Sequence, residues 1–221
     1  MRISIEKFWF NFDEVIFFAK SKRKKSKTMG KAVLTESNVA IPSGVEVVVK
    51  NRMITASGPR GKVTKSFPNC SVLMRNHEVK GNKSLNIAIW FKNRKNRALT
   101  KTMASLVENM IVGVTKGYRY VMKYGHKRHP MKPASAKDGK SIQVANYLGS
   151  QYTRVIKAPA GVNVECDPEN QAKEIFVTGI DNEMVGTTCA MIHQSCRPRN
   201  LDRRKFEDGL YIQTRGLIDN D

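Results

Sequence analysis

Cys189, His193 and Cys196 have the types and spacing of a metal site. They fall four and three residues apart, so one helix face would carry two thiols and an imidazole. Zinc needs a fourth donor, and no C-x-x-C knuckle supplies it. Val185 and Ile192 share the stripe, which makes it the side of the helix that turns to the core. Buried free thiols are the reading for these cysteines, and no metal or cofactor is expected. Catalysis is no better provided for. No G-x-S-x-G elbow, Walker loop or G-x-G-x-x-G turn occurs. The carboxylates are few, scattered and mostly beside lysine or arginine. His126 and His129 flank a basic, proline-containing loop that offers no partner to orient a general base. Histidines among lysines more often join a phosphate-binding surface, and the chain is not expected to be an enzyme.

The chemistry that the residues favour is ion pairing with phosphate. Against 19 Asp+Glu stand 39 Lys+Arg, a formal net charge of +20, with a pI near 10.0. Such an excess opposes compaction and raises affinity for polyanions. The basic residues are spread along the chain rather than gathered on one amphipathic helix, which favours nucleic acid over an anionic membrane. Arginine forks phosphate oxygens bidentately, and aromatic faces stack on unpaired bases. Lys127, Arg128 and Lys132 occupy a proline-stiffened loop, and Arg197, Arg199, Arg203, Arg204 and Lys205 crowd the segment near the C-terminus. Arg154, Arg60 and Arg97 complete the candidate RNA-binding set, Arg97 beside Arg94 and Lys95. For any single lysine a solvated surface charge is the plain alternative; for the whole set it is not. No helix-turn-helix, basic zipper or finger is visible, so folded RNA is favoured over sequence-specific DNA.

Two similar stretches must position these charges. In Ile41 to Gly61, Val45, Val47 and Val49 alternate with polar residues as in a strand with one buried face, Lys50-Asn51-Arg52 makes a turn, and Met53 to Ala56 resumes the strand with Ile54 inward. Gly58-Pro59-Arg60-Gly61 reverses the chain again, presenting Arg60 to solvent, and Val63, Lys65 and Phe67 restart the alternation. About 117 residues later, Ala158-Pro159-Ala160-Gly161-Val162-Asn163-Val164 echoes Ile41-Pro42-Ser43-Gly44-Val45-Glu46-Val47. A helical stripe follows each copy, Leu99 to Val114 (Asn96 as its N-cap) and Met184 to Cys196. The expected fold is therefore α+β, two tandem copies of a small antiparallel-sheet-plus-helix domain. Tyr118 to Tyr124 should open the second copy, with short strands at Ile142 to Leu148 and Arg154 to Lys157, while Pro130 and Pro133 bar regular structure from Gly125 to Lys140.

The divisions expected are an aromatic and basic leader (1–28), a first repeat (29–116), a second repeat with the main RNA contacts (117–200) and a C-terminal segment (201–221). The leader joins Phe8-Trp9-Phe10 to the run from Lys20 to Lys27 and fits neither a signal peptide nor a membrane span. It reads as a disordered tail, an import signal or a non-specific RNA contact, and Met29-Gly30 has the form of an ordinary start. Four unevenly placed cysteines without a secretory pattern point to a reducing intracellular compartment.

At this point the residues resemble the universal large-subunit ribosomal protein six family, called L-nine in eukaryotes. The likeness lies in I-P-S-G-V…G-P-R-G, in N-M-I-x-G-V-T-x-G-Y-R-Y from Asn109 to Tyr120, and in R-K-F-E-D-G-L-Y-I from Arg204 to Ile212. It covers roughly Lys31 to Leu217, and the tail points to the archaeal–eukaryotic branch. Gln194, Arg204, Phe206, Asp208 and Gly209 fit the family pattern near the tail, whereas Pro198 and Leu201 stand where it has an aliphatic and a basic residue. The resemblance implies a ribosome constituent without catalysis. Its second domain would clamp large-subunit rRNA near the sarcin–ricin loop and stalk base, beside the elongation-factor site and neighbouring ribosomal proteins. It also implies a cytoplasmic location, with nucleolar assembly if the source is eukaryotic. A free-standing RNA-binding or ribosome-assembly factor is the alternative; it would sediment apart from ribosomes.

Overall fold

The computed structural model describes residues 33–79, 82–90, 93–166, 173–202 and 204–218. The 1–28 leader and Arg203 lie outside the described residues. Leu34–Asp221 forms one compact unit, built in two sequential halves that each have their own core.

The first half begins with β1 (Leu34–Ala40), which the sequence reading did not anticipate, followed by β2 (Glu46–Lys50), β3 (Met53–Gly58), β4 (Gly61–Ser66), β5 (Leu73–Val79) and β6 (Asn82–Trp90). They make two antiparallel three-stranded sheets, ordered β1-β6-β5 and β2-β3-β4. As the alternation predicts, Val45, Val47 and Ile54 are buried. The β2–β3 hairpin closes through Asn51 and Arg52, both at positive φ (49° and 60°). That is the double left-handed conformation of the two-residue turn whose twist matches the strands. Asparagine tolerates it and arginine does so at a cost. The carbonyl of Arg52 accepts from the Phe67 N–H at 2.9 Å, and its Nη1 donates to the Pro68 carbonyl at 2.9 Å.

Across the sheets lies α1 (Arg94–Thr115). Met103, Val107, Met110, Ile111 and Val114 recur at three- and four-residue intervals and bury one face against Val39, Val47, Ile54, Leu85 and Ile87. The N-cap position is Asn93, with extended backbone, and not Asn96, which sits inside the first turn. The basic run from Arg94 to Arg97 is thus the start of the helix.

The second half holds β7 (Tyr118–Gly125), β8 (Lys132–Ser135), β9 (Ser141–Ala145), a 3₁₀ turn at Tyr147–Gly149, β10 (Arg154–Lys157), β11 (Val162–Cys166), β12 (Glu174–Gly179), α2 (Asn182–Ser195) and β13 (Gly209–Leu217). Its sheets are ordered β10-β9-β8 and β11-β12-β7-β13. Pro133 does not bar a strand: it lies in β8, at the edge of its sheet, opposite Val144. An edge strand tolerates a missing N–H. The terminal segment supplies β13, which pairs with β7 from Gly209↔Gly125 to Leu217↔Tyr118 around a bulge between Ile212 and Thr214. Asp181 caps α2 by accepting the Glu183 N–H at 3.0 Å.

The duplication is visible in the backbone. Gly44 and Gly161 both have positive φ (96° and 85°), and a Cβ is unfavourable there. The N–H of Val45 donates to the Pro42 carbonyl at 3.3 Å, and that of Val162 to the Pro159 carbonyl at 3.4 Å. One P-x-G-V turn thus enters an edge strand, β2 or β11, in each half. The α+β fold with an antiparallel-sheet-plus-helix unit in each half is the one the sequence leads one to expect, and among the described residues it comprises four antiparallel sheets and two α-helices.

Candidate nucleic-acid interface

The cations of the second half converge because two distant segments are tied together. Asp208 is buried (7% exposed). Its Oδ1 accepts the backbone N–H of Lys127 at 2.8 Å, and its carbonyl accepts the Tyr147 hydroxyl at 3.4 Å. Lys127 lies 81 residues from Asp208 in the chain. The loop after β7 is therefore held against the segment before β13. The two line a groove of about 650 Å³ that carries Lys127, Arg128, His129 and Lys205, with Leu148, Leu201 and Phe206 as its apolar wall. Gly209 follows at once and starts β13, so the D-G pair both anchors the loop and opens the strand.

A second groove, of about 740 Å³, lies where α2 ends, and Arg154, Arg197 and Arg199 line it with Gln194 and Tyr152. Arg154 differs from the other cations. It is half-buried, its Nε donates to the Ser195 carbonyl at 3.0 Å, and its guanidinium carbon stands 4.7 Å from the centre of the Tyr147 ring. It fastens the C-terminal end of α2 to the sheet and serves the groove as a fixed charge rather than a free fork. Lys132 is exposed on β8. Arg204 is exposed, with its backbone N–H donating to Asp202 Oδ1 at 3.0 Å.

In the first half the candidates do not assemble. Arg97 is half-buried in the first turn of α1. Arg60 does not simply point into solvent: its backbone N–H donates to the Val114 carbonyl at 3.1 Å and its Nε to the Thr115 carbonyl at 3.1 Å. These are the unsatisfied carbonyls at the end of α1, so Arg60 caps that helix with both hydrogen bonds and positive charge. Among the described residues, Lys127, Arg128, Lys132, Arg197, Arg199, Arg204 and Lys205 form no ion pair, while three pairs join Lys65 to Glu183, Lys83 to Glu78 and Lys101 to Glu108.

Of the Cys189–His193–Cys196 stripe, the two cysteines belong to the core and His193 is half-buried beside them. Cys189 and Cys196 are buried, and burial pushes the Cys189 thiol from 9.0 up to about 11 and raises that of Cys196. His193 turns its Nδ1 to the Leu210 carbonyl at 2.6 Å and stands 5.4 Å from the Tyr211 ring. Sequence reasoning missed Tyr152 altogether. At 72% exposure it is a large apolar side chain with little cover, and only its neighbours in space, Arg197 and Arg199, mark it out.

The described residues form a duplicated α+β scaffold whose second half gathers cations around two grooves, the architecture of a structural rather than a catalytic protein. The model of the family "Ribosomal protein L6" matches residues 41–117 and 135–209, the two halves described above. The chain belongs to the ribosomal protein L6 family, a structural and non-enzymatic one. It is 38% identical over 189 residues to the large ribosomal subunit protein uL6 of Tetrahymena thermophila, covering 86% of this chain and 98% of that protein. Similarity to uL6A of Saccharomyces cerevisiae is 38% over 193 residues, 86% of this chain and 99% of the relative. An archaeal relative, uL6 of Ignicoccus hospitalis, is 36% identical over 191 residues, 86% of this chain and 100% of its own length. Among the described residues, no helix is long and apolar enough to cross a membrane.

Proposed function

We propose that the chain is a constituent of the large ribosomal subunit and binds its rRNA through the cationic end of the second half. The contact lies near the sarcin–ricin loop and stalk base, beside the elongation-factor site, with cytoplasmic ribosomes as its location, a reading supported by the resemblance of the tail and linker motifs. The observation that carries the reading is the tie between Lys127 and Asp208. It holds the loop and the terminal segment together, so that Lys127, Arg128, His129 and Lys205 line one groove, where they outnumber the carboxylates of Glu207 and Asp208. Lys127, Arg128, Arg197, Arg199, Arg204 and Lys205 are the contacts proposed first, with Lys132 at the margin, and Arg203 is proposed from its place in the sequence alone. Arg154, Arg97 and Arg60 contribute charge from positions that also hold the fold.

Neutralising some eight phosphates releases counterions, and log affinity should then fall against log salt with a slope of about −6 to −7. Titrating the purified chain with large-subunit rRNA at a series of salt concentrations measures that slope. A slope near zero would mean that phosphate does not drive binding.

A further inference from the structure

The groove at the end of α2 has a composition that phosphate binding alone does not call for. Its walls carry three arginines, Arg154, Arg197 and Arg199, but also two amide side chains, Gln194 and Asn200, and the face of Tyr152. Tyr152 is 72% exposed and sits in a short bend where its backbone N–H donates to Ser150 Oγ at 3.3 Å. A ring left this open on a charged surface is not explained by burial in either core cluster. Arg154 is immobilised from two sides, by the Ser195 carbonyl and the Tyr147 ring, and its Nη1 is buried without a hydrogen-bond partner. That one nitrogen is left unsatisfied in the free protein, at a cost that a ligand acceptor would relieve. The groove measures about 740 Å³, within the range of roughly 300–1,000 Å³ typical of sites for small ligands.

We infer that this groove takes one unpaired nucleotide of the bound RNA, its base stacked on Tyr152 and its phosphate held by Arg197 and Arg199. Duplex backbone has no base face to offer a tyrosine, because its bases are stacked on one another; an extruded base does. Gln194 and Asn200 each present a donor and an acceptor, the equipment needed to read a base edge. Arg154, fixed in the wall, adds positive potential without the entropy cost of ordering a long side chain. The inference rests on the rRNA-binding reading above and deepens it: the second half would recognise an irregular RNA feature, a bulge or loop, and not a uniform helix.

The test compares two RNA hairpins that differ by one bulged nucleotide, titrated with the full chain and with Tyr152→Ala, Tyr152→Phe and the double variant Arg197→Ala/Arg199→Ala. Tyr152 is exposed, so its removal leaves the core intact, which thermal unfolding checks. Tyr152→Ala should weaken binding to the bulged hairpin about tenfold, the scale of one lost base–aromatic stack. It should leave the fully paired hairpin unchanged, and Tyr152→Phe should retain the preference for the bulge. If Tyr152→Ala alters neither affinity while the arginine variant lowers both, the groove binds phosphate alone and the inference is overturned, with the rRNA reading intact. If the arginine variant also alters neither, the groove is no part of the interface, and both the inference and that part of the rRNA reading fail.

Discussion

Gly113 of α1 lies so close to the carbonyl of Ile180 that a Cβ on it would stand 2.1 Å from that oxygen. This close approach of backbone to backbone lies in the junction between the two halves. Around it, Lys65 pairs with Glu183, the Tyr118 hydroxyl donates to the Asn109 carbonyl at 2.9 Å, and Ile180 packs against the first core. A glycine inside a helix costs about 1 kcal/mol relative to alanine; here it permits the second half to dock on the first helix.

Two principles therefore disagree about Gly113→Ala. Helix propensity favours the variant by about 1 kcal/mol, whereas forcing a methyl group into a filled junction costs about 3 kcal/mol. A 2.1 Å approach to backbone cannot be relieved by a rotamer, so the packing cost wins. The variant should lose about 2 kcal/mol net, read from the shift in its urea unfolding midpoint. A more stable variant would show that the junction is loose.

Asp208 gives a prediction whose sign separates geometry from simple charge. Removing a carboxylate beside a cationic groove ought to raise affinity for RNA if only summed charge mattered. Asp208, however, holds the Lys127 backbone in place. Asp208→Ala should release the loop and weaken RNA binding several-fold even though the protein becomes more positive, at a stability cost of about 2 kcal/mol for a buried charged hydrogen bond. Titration with rRNA well below the unfolding temperature of the variant reads the change. Tighter binding would contradict the positioning role.

The core contains weak acids that resist ionising. Burial pushes the Cys189 thiol from 9.0 up to about 11, and the Tyr118 and Tyr147 phenols from 10.0 up to about 12. Because these values are raised in the folded state, the stability they contribute is complete below the unfolded values and is lost as pH rises toward the folded ones. Each group withdraws about 1.4 kcal/mol per pH unit within its own window. The unfolding midpoint should therefore decline from about pH 9 upward, and Cys189→Ala should flatten the first part of that decline, from 9.0 to about 11. A midpoint indifferent to pH between 9.0 and about 12 would refute the burial of these groups.

How far the sequence reveals this molecule depends on the range of the interaction concerned. The P-x-G-V turns are legible because Pro42, Gly44, Pro159 and Gly161 act on their own backbone. The stripe from Met103 to Val114 is legible because one helix face repeats itself. The β7–β13 pairing is not, since Tyr118 and Leu217 meet across 98 intervening positions that carry no local signal of it. Arg60 and Arg154 look like any exposed arginine in the chain, yet each is assigned its place by a helix end, the carbonyls of Thr115 and Ser195 respectively. Pro133 misleads for a related reason: whether proline breaks a strand depends on whether that strand is at an edge, and the edge is set by β9 and β10. Of the cationic cluster, the residue types were plain from the chain, while their union across the Lys127–Asp208 tie was not.

The account stands or falls on where the protein resides in the cell and on what holds it there. Wild-type chain and a variant carrying Lys127→Glu, Arg128→Glu and Arg199→Glu, each tagged and expressed in growing cells, should be followed through sucrose gradients. Wild type should travel with large subunits and resist a moderate salt wash, while the variant, folded by circular dichroism, should remain at the top of the gradient. If the wild type stays free of large subunits, or the reversed-charge variant sediments with them undiminished, the cationic end of the second half is not what fixes this protein to RNA.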